Sequence, residues 1–523
     1  MKSSAEIFHL VKSLTKQEKS YFKKIAAAFI VEESSNYLKY FDELVLQASK
    51  YSEYDEEKIK TGSYTGKFLK NLSFHKNYLY NMILSALVQY HKENKDTIVL
   101  RNLISQSEIL FDKLLYSQSL KVLLRAKKLA TETDKHLYLY EILSRERLIY
   151  KYTLNNEEFA DKGKSVFKEQ FELMDILKNN VDYYFLNDSF GYFLSKFGTG
   201  LTRNEKETAE LKEFFSNPLL KDISNAKTFF NKTLFNTMNQ QYQNIKNDFE
   251  KGYGYILENE KLWEDNLHKT GGKLDNYIFA LNNLLNSQVR TKRFDDFEKT
   301  YFKMKNLEKK YPKNLSVINK AFIFYSLIIL RISKCYEFLD TKGLEEVDAE
   351  VEKDLIKYEA GISLYQRIIL FYFMGTSAFV RNDFEKSIYW MGRIINMEKT
   401  DLSQDYQCYS RIVYLISYFE LGYFDSLEYA LKSAYHFMSK RDRVYKYENI
   451  ILKYLRISFR IKTMSELDEM FKNMKRELEE IKDDPLEQNA FDAFNILYWL
   501  DSKVKKIPMM ELIKKSKKIV NSQ

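Results

Sequence analysis

The side chains from which catalysis is usually built are few and scattered in this 523-residue chain. The six histidines are His9, His75, His91, His136, His268 and His436. None has a second histidine four residues on or a neighbouring ligand, the spacing by which a helix presents two donors to one zinc ion. Cys335 and Cys408 form neither a metal-ligand pair nor a disulfide pattern. There is no Gly-x-x-x-x-Gly-Lys-Ser/Thr run to cradle a phosphate and no Gly-x-Ser-x-Gly elbow to raise a nucleophile. The glycine pairs in GYG (Gly252 to Gly254) and TGGK (Thr270 to Lys273) are isolated and are expected at turns or helix ends. Adjacent carboxylates such as Glu345 and Glu346 lie in long charged helical stretches, where solvation accounts for them. The prediction is a protein with no catalytic, cofactor or metal site. A hydrolase whose acids converge across a groove is the enzymatic class left open.

Polar residues of another kind do recur at helical spacing. Asn282, Asn286 and Arg290 fall every four residues and share one helix face, and Thr237, Gln241 and Asn244 do nearly the same one helix pair earlier. Amides can pair with the donors and acceptors of a peptide backbone, and a guanidinium can fork onto a carboxylate. These faces are therefore candidate peptide-binding residues, set against the ordinary polar face that any amphipathic helix presents. Tyr372, Phe379, Tyr409 and Phe419 occupy the corresponding face of later helices and are expected in the core between repeats. Near the amino end, Lys60, Lys67, Lys70, His75 and Lys76 precede an amphipathic helix. A nucleic-acid-contacting head over residues 55–92, on a repeat-built sensor body, is the alternative reading. It is disfavoured by a net charge of only +3 over residues 1–91, by the absence of arginine there, and by the lack of helix-turn-helix spacing.

The elements that must carry these residues are helices. Fifteen glycines and four prolines are far below the usual shares of roughly 7% and 5%. Helix interiors exclude both residues, whereas hairpin turns and phosphate loops use glycine. Hydrophobic residues make up 45% of the chain, enough for a large core. The net charge of +9 is concentrated at the ends, with seven lysines against one acid over residues 503–523, where a solvated lysine face on a last helix explains it. Glu6, His9 and Lys12 interrupt the apolar residues of the first segment, so it does not read as a secretion signal. The longest apolar runs, Ala321 to Leu330 and Ile368 to Val380, are too short for a membrane span of about 18 residues. A cytoplasmic, reduced, soluble protein of undetermined oligomeric state is the expectation.

A capping box at Thr15 and Glu18 opens a helix of an amino-terminal helical module covering residues 1–92, and a second helix follows over Asn36 to Ala48. From 93 to 481 helix-period segments come in pairs joined by short polar turns. Aligned on the large residue after each turn, the second helices begin near Tyr116, Phe159, Phe249, Phe294, Leu344, Phe384 and Phe424, with an irregular unit around FGTGLTRNEKET. The string NDFEK marks two of these turns, at Asn247 to Lys251 and Asn382 to Lys386. A third near-copy, Asp295 to Lys299, is in register only if Phe297 is its turn aromatic. Residues 482–523 are predicted to cap the array with further helices and a basic tail.

The clearest unit reads Phe371, Met374, Gly375 and Ala378, then Asn382-Asp383-Phe384, then Ser387, Met391 and Ile394. It resembles the tetratricopeptide pattern, in which a small residue on each helix lets the pair approach closely. Tyr414, Leu415 and Tyr418 with LGYF (Leu421 to Phe424), Leu431 and Ala434 make a second such unit. Leu103, Ser107, Leu110, Tyr116, Ser119, Leu123 and Ala126 make an earlier one. The units are longer than that family's 34 residues and lack its closing proline. The whole chain also resembles a group of bacterial helical-repeat proteins that share SLTKQEKSYFKK and KNYLYNMIL, a likeness that implies no activity. The expected fold is all-α, a right-handed α-solenoid of tetratricopeptide-like helical hairpins behind the amino-terminal module. The resemblance implies a non-enzymatic scaffold or adaptor that holds a protein or peptide on the concave face made by first helices.

Overall fold

A computed structural model describes residues 6–28, 35–50, 54–60, 64, 66–91, 96–197, 205–270, 274–312, 314–397, 404–439, 446–484 and 487–520. The described residues are all-helical and contain no strand. The chain forms two compact units, residues 1–178 and 179–523.

The first unit contains α1 (Glu6–Ser13), α2 (Lys16–Ala28), α3 (Ser35–Lys50), the short α4 (Glu56–Lys60) and α5 (Gly66–Lys70), α6 (Leu72–Tyr90), α7 (Asp96–Asp112), α8 (Tyr116–Glu132) and α9 (His136–Thr153), and the start of α10 (Asn156–Phe197). Helices α1 to α6 enclose a core of their own, centred on Phe8, Phe22, Tyr40, Phe41, Leu79 and Ile83. The predicted capping box opens α2: the Glu18 amide donates to Thr15 Oγ1 and the Thr15 amide donates to the Glu18 carboxylate. A separate core of Leu100, Ile104, Leu123, Ala126, Ile142 and Ile149 joins α7, α8 and α9. Ser107 and Ser119 meet there, their hydroxyls 2.9 Å apart and each also bonded to the other's carbonyl. Small hydroxyl side chains at this crossing let the two helices approach and satisfy each other without water.

The second unit continues with α11 (Glu205–Phe214), α12 (Phe229–Ile245), α13 (Phe249–Asn266), α14 (Asp275–Arg290), α15 (Phe294–Lys305) and the one-turn α16 (Leu307–Lys310). Next come α17 (Val317–Phe338), α18 (Thr341–Tyr358), α19 (Leu364–Val380), α20 (Phe384–Ile395), α21 (Gln404–Leu421), α22 (Phe424–Met438), α23 (Lys446–Ile457) and α24 (Met464–Glu479). The short α25 (Gln488–Ala493), α26 (Ile496–Lys505) and α27 (Met509–Val520) close it. Pairs α12/α13, α14/α15, α17/α18, α19/α20, α21/α22 and α23/α24 are helical hairpins. The first helices α14, α17, α19, α21 and α23 also pack each on the next. Ion pairs tie neighbouring hairpins together: Arg293 to Glu250 at 2.7 Å, Lys303 to Glu260 at 2.6 Å, Lys334 to Glu298, and Arg381 to the buried Asp348.

One turn recurs throughout. At Leu114, Asp134, Asn247, Lys292, Leu339, Asn382 and Gly422 the backbone enters the left-handed region, with φ between 51° and 71°. The amide of the following residue then donates to the carbonyl five residues back, at 2.8–3.1 Å in all seven cases. This six-to-one bond is a Schellman turn, which satisfies carbonyls that a helix end leaves unpaired. The next helix starts at once. Where that following residue is Asp248, Asp340 or Asp383, its carboxylate accepts the amide hydrogen three residues on and caps the helix. In NDFEK, therefore, the asparagine is the left-handed residue, the aspartate the cap, and the phenylalanine the first helical residue. The third near-copy is out of register by three: Lys292, Arg293 and Phe294 take these places, and Phe297 is a buried core residue.

Helices α8, α13, α15, α20 and α22 start at the large residues expected to mark them. Phe159 and Leu344 instead lie three residues inside α10 and α18, whose caps are Asn155 and Asp340. The 42-residue α10 is far longer than any helix the pairing pattern predicted: no proline or Schellman turn interrupts it before residue 197, and it carries Gly163 and Gly191 within its length. Gly252 and Gly254 are not in a turn but within α13. A Cβ at Gly252 would lie 2.7 Å from Asn244 Oδ1, so this glycine lets α12 and α13 close together. Gly271, Gly272 and most of FGTGLTRNEKET lie outside the described residues.

Candidate functional site

The amide-rich face of α12 is largely consumed inside the second unit. Asn231 donates to Asn179 Oδ1 at 2.9 Å and to Asn180 Oδ1 at 2.8 Å, and Asn239 donates to the carbonyls of Phe235 and Leu220. Thr237 donates to the Thr233 carbonyl at 2.8 Å and accepts from Asn259 of α13 at 3.2 Å. Asn244 abuts the backbone of α13 at Gly252. Thr237 and Asn244 are thus taken up within the hairpin, and Gln241 between them is half-buried. Asn236 lies deeper, fully buried, with neither its oxygen nor its nitrogen meeting a partner.

The α14 residues are placed differently. Asn286 and Arg290 are exposed and Asn282 is half-buried, all on one face. Asn286 donates to the Asn282 carbonyl at 2.8 Å, which fixes its amide along the helix. The Arg290 guanidinium lies 5.1 Å over the Phe249 ring, which holds the cation without neutralising it. One turn earlier the same face carries Phe279, 50% exposed, its ring 4.5 Å from Phe322 of α17. A surface of this make-up offers an apolar ledge, then amides, then a cation, over about 16 Å of helix.

Farther along, the first helices are covered by the chain's own carboxyl-terminal segment. The Tyr372 hydroxyl donates to the Ala493 carbonyl at 3.0 Å, and the Tyr447 hydroxyl to the Phe494 carbonyl at 2.7 Å. Phe379 packs on Phe494 with ring centres 5.2 Å apart, and Phe419 packs on Trp499 at 6.2 Å. The Glu487 carboxylate accepts the amide hydrogens of Lys446 and Tyr447 at the start of α23, where a helix end favours negative charge. Trp499 Nε1 and the Lys503 ammonium both donate to Glu420 at 2.5 Å. Tyr372, Phe379 and Tyr409 are accordingly buried, with Phe419 packed on the core.

A groove that sequence reasoning did not find opens between α15, α17 and α18, with a volume of about 580 Å³. Phe297 and Tyr301 form its floor, and Phe302 and Phe338 its exposed rim. Lys334 pairs with Glu298 and sits 5.7 Å over Phe297, while Arg331 bonds to Glu350 at 2.5 Å. Alternating aromatic and basic residues on α15 and α17 could have signalled it, but so many helices here share that composition that the signal is not selective. Cys335 lines the groove, and burial pushes its thiol pKa up. A thiol held protonated in this way is not an activated nucleophile.

In the first unit, His75 and Lys76 are held by the fold. His75 stacks on Phe68 at 4.2 Å and bonds to the Tyr37 hydroxyl at 2.6 Å. Lys76 is buried against Glu56. Two of the five basic residues proposed for nucleic acid thus turn inward, Lys70 is exposed, and the side chains of Lys60 and Lys67 lie outside the described residues. Among the described residues no three His, Cys, Asp or Glu side chains are grouped to hold a metal ion, and no helix is long and apolar enough to cross a membrane. No family model and no curated protein matches the chain.

Proposed function

We propose that the chain is a non-enzymatic scaffold that binds a protein or peptide segment, its hairpins from α12 to α24 stacked as a right-handed, tetratricopeptide-like α-solenoid. The binding surface is the exposed face of α14 with the adjoining part of α17. Phe279 and Phe322 take an apolar side chain, the amides of Asn282 and Asn286 pair with the main chain, and Arg290 takes a carboxylate. Thr237 and Gln241 support this surface from the preceding hairpin rather than touch the partner.

The observation that carries the reading is the carboxyl-terminal segment lying on α19, α21 and α23. Aromatic side chains fill the spaces between its helices and tyrosine hydroxyls hold its carbonyls. The first-helix side is therefore chemically suited to a polypeptide segment, and α14 presents related residues that remain exposed. The test is selection of peptides from a displayed library by the full chain, followed by titration of a selected peptide. Asn286→Ala with Arg290→Ala, and separately Phe279→Ala, should weaken binding about tenfold or more without moving the melting temperature. Unchanged affinity in both variants sinks the site.

A further inference from the structure

The backbone of α10 is one unbroken helix of 42 residues, and the face it turns outward is apolar over much of its length. Phe167, Phe171, Met174, Val181, Phe185 and Tyr192 are each between 46% and 73% exposed. Taken at 150–250 Å² per large side chain, they present roughly 700 Å², above the 300–600 Å² of the largest patch on a typical monomer. Their spacing is regular. With Lys178 and Asp188, which are also exposed, they fall at alternating steps of four, three, four, three, four, three and four residues. That is a 3.5-residue period, the seam of a two-helix coiled coil, running opposite the face that packs Val166, Leu173, Tyr183, Leu186 and Phe190 into the protein.

The two charged positions in the seam decide the occupant. In a parallel pair of two copies, Lys178 would meet Lys178 and Asp188 would meet Asp188, like charges facing each other within an apolar seam. In an antiparallel pair centred at residue 183, the six seam positions from Met174 to Tyr192 are matched with one another, and Phe167 and Phe171 extend beyond this overlap. Met174 faces Tyr192 of the second copy, Lys178 faces Asp188, Val181 faces Phe185, and the same three pairings repeat on the far side of the twofold axis. Sliding the pair by one heptad in either direction sets Asp188 against Phe171 or Phe185, so that the two opposite charges no longer face each other across the seam. A polar pair in an otherwise apolar seam fixes register in this way. We propose that α10 is a homodimerisation helix, and that a second copy of this chain docks on it antiparallel in this register.

The test uses the full chain in sedimentation velocity. Wild type should run at twice the chain mass, and Phe185→Asp at the single-chain mass with an unchanged helical spectrum. Lys178→Asp and Asp188→Lys should each weaken the dimer by about tenfold or more, since each places like charges opposite one another, and the double swap should restore it. Cross-linking gives the orientation independently, because the native Cys335 and Cys408 are buried. Mixing a Val181→Cys chain with a Phe185→Cys chain should give a disulfide-linked heterodimer much faster than either chain alone. A wild-type monomer at the highest soluble concentration overturns the proposal. So does a dimer that Phe185→Asp leaves intact, one that the double swap fails to restore, or one in which Val181→Cys alone links fastest, which would mean parallel pairing.

Discussion

At the residue scale the recurring turn makes the sharpest claim. Among the described residues this turn places seven in the left-handed region, and of those seven Gly422 alone is glycine. For a side chain with a Cβ that conformation costs roughly 1–2 kcal/mol, and asparagine bears it better than most because its short amide bonds locally. Lys292 is an exposed case, and its ion pair to Glu337 at 3.4 Å is solvated and contributes little. Lys292→Gly should therefore stabilise the chain by a few tenths to about 1 kcal/mol, with glycine's extra unfolded-state entropy offsetting part of the gain. Asn382→Gly should change stability by less than about 0.5 kcal/mol. Chemical denaturation of both variants decides this, and equal effects would mean that the backbone strain has been misjudged. The same comparison explains what NDFEK could and could not disclose. Asparagine and aspartate in sequence identify this turn from their chemistry. Leu114, Lys292 and Leu339 occupy it because of the flanking helices, and nothing in their own type announces it.

At the element scale, close helix approach is set by a few small residues, and the glycines divide by what surrounds them. A Cβ at Gly361 would stand 2.7 Å from Ala321 Cβ and 2.8 Å from the Val317 carbonyl oxygen, so the start of α17 would have to move. At Gly254, inside α13, a Cβ would meet nothing within 4 Å. Gly361→Ala should cost about 1–3 kcal/mol, the usual penalty of overpacking, whereas Gly254→Ala should stabilise by about 0.5–1 kcal/mol. Thermal denaturation of the pair separates the two, and a stabilising Gly361→Ala would sink the packing argument. Helix periodicity and turn chemistry made most elements of the second unit legible from sequence, including the starts of α13, α15, α20 and α22. They did not reveal the 42 residues of α10, since the lack of a proline or a left-handed turn is a weaker signal than the presence of one. Nor could they divide the polar faces of α12 and α14. Both read as amides at helical spacing, and only the partner helix shows that Thr237 turns onto Asn259 while Asn286 reaches solvent.

At the scale of the whole molecule, several of the 40 tyrosines are buried between helices, and their burial makes the fold sensitive to alkali. Burial, with the Asp222 charge second, pushes Tyr183 up to about 12, and burial followed by the Glu146 hydrogen bond does the same to Tyr150. Tyr372 and Tyr447, fully enclosed where the carboxyl-terminal segment crosses the first helices, are raised well above the ordinary 10.0, again chiefly by burial. A group whose folded pKa lies above its unfolded value binds its proton more tightly when folded. Its contribution is therefore complete below about pH 10 and is lost as pH rises toward 12. Arg411 acts in the opposite sense: buried over the Phe437 ring with only the Gln407 carbonyl bonded, it is lowered to about 10 and gains stability over the same range. One such cation does not offset several enclosed phenols that are all shifted in the other sense. Stability should thus fall steeply above about pH 10, and the buried tyrosines should ionise together with loss of helix rather than before it. Tyrosinate absorbance and circular dichroism followed across the same titration test this. Complete ionisation near pH 10 in a fully helical chain would show that the carboxyl-terminal segment leaves Tyr372 and Tyr447 open to solvent, and with that the chain's own segment would cease to be a guide to what its first helices bind.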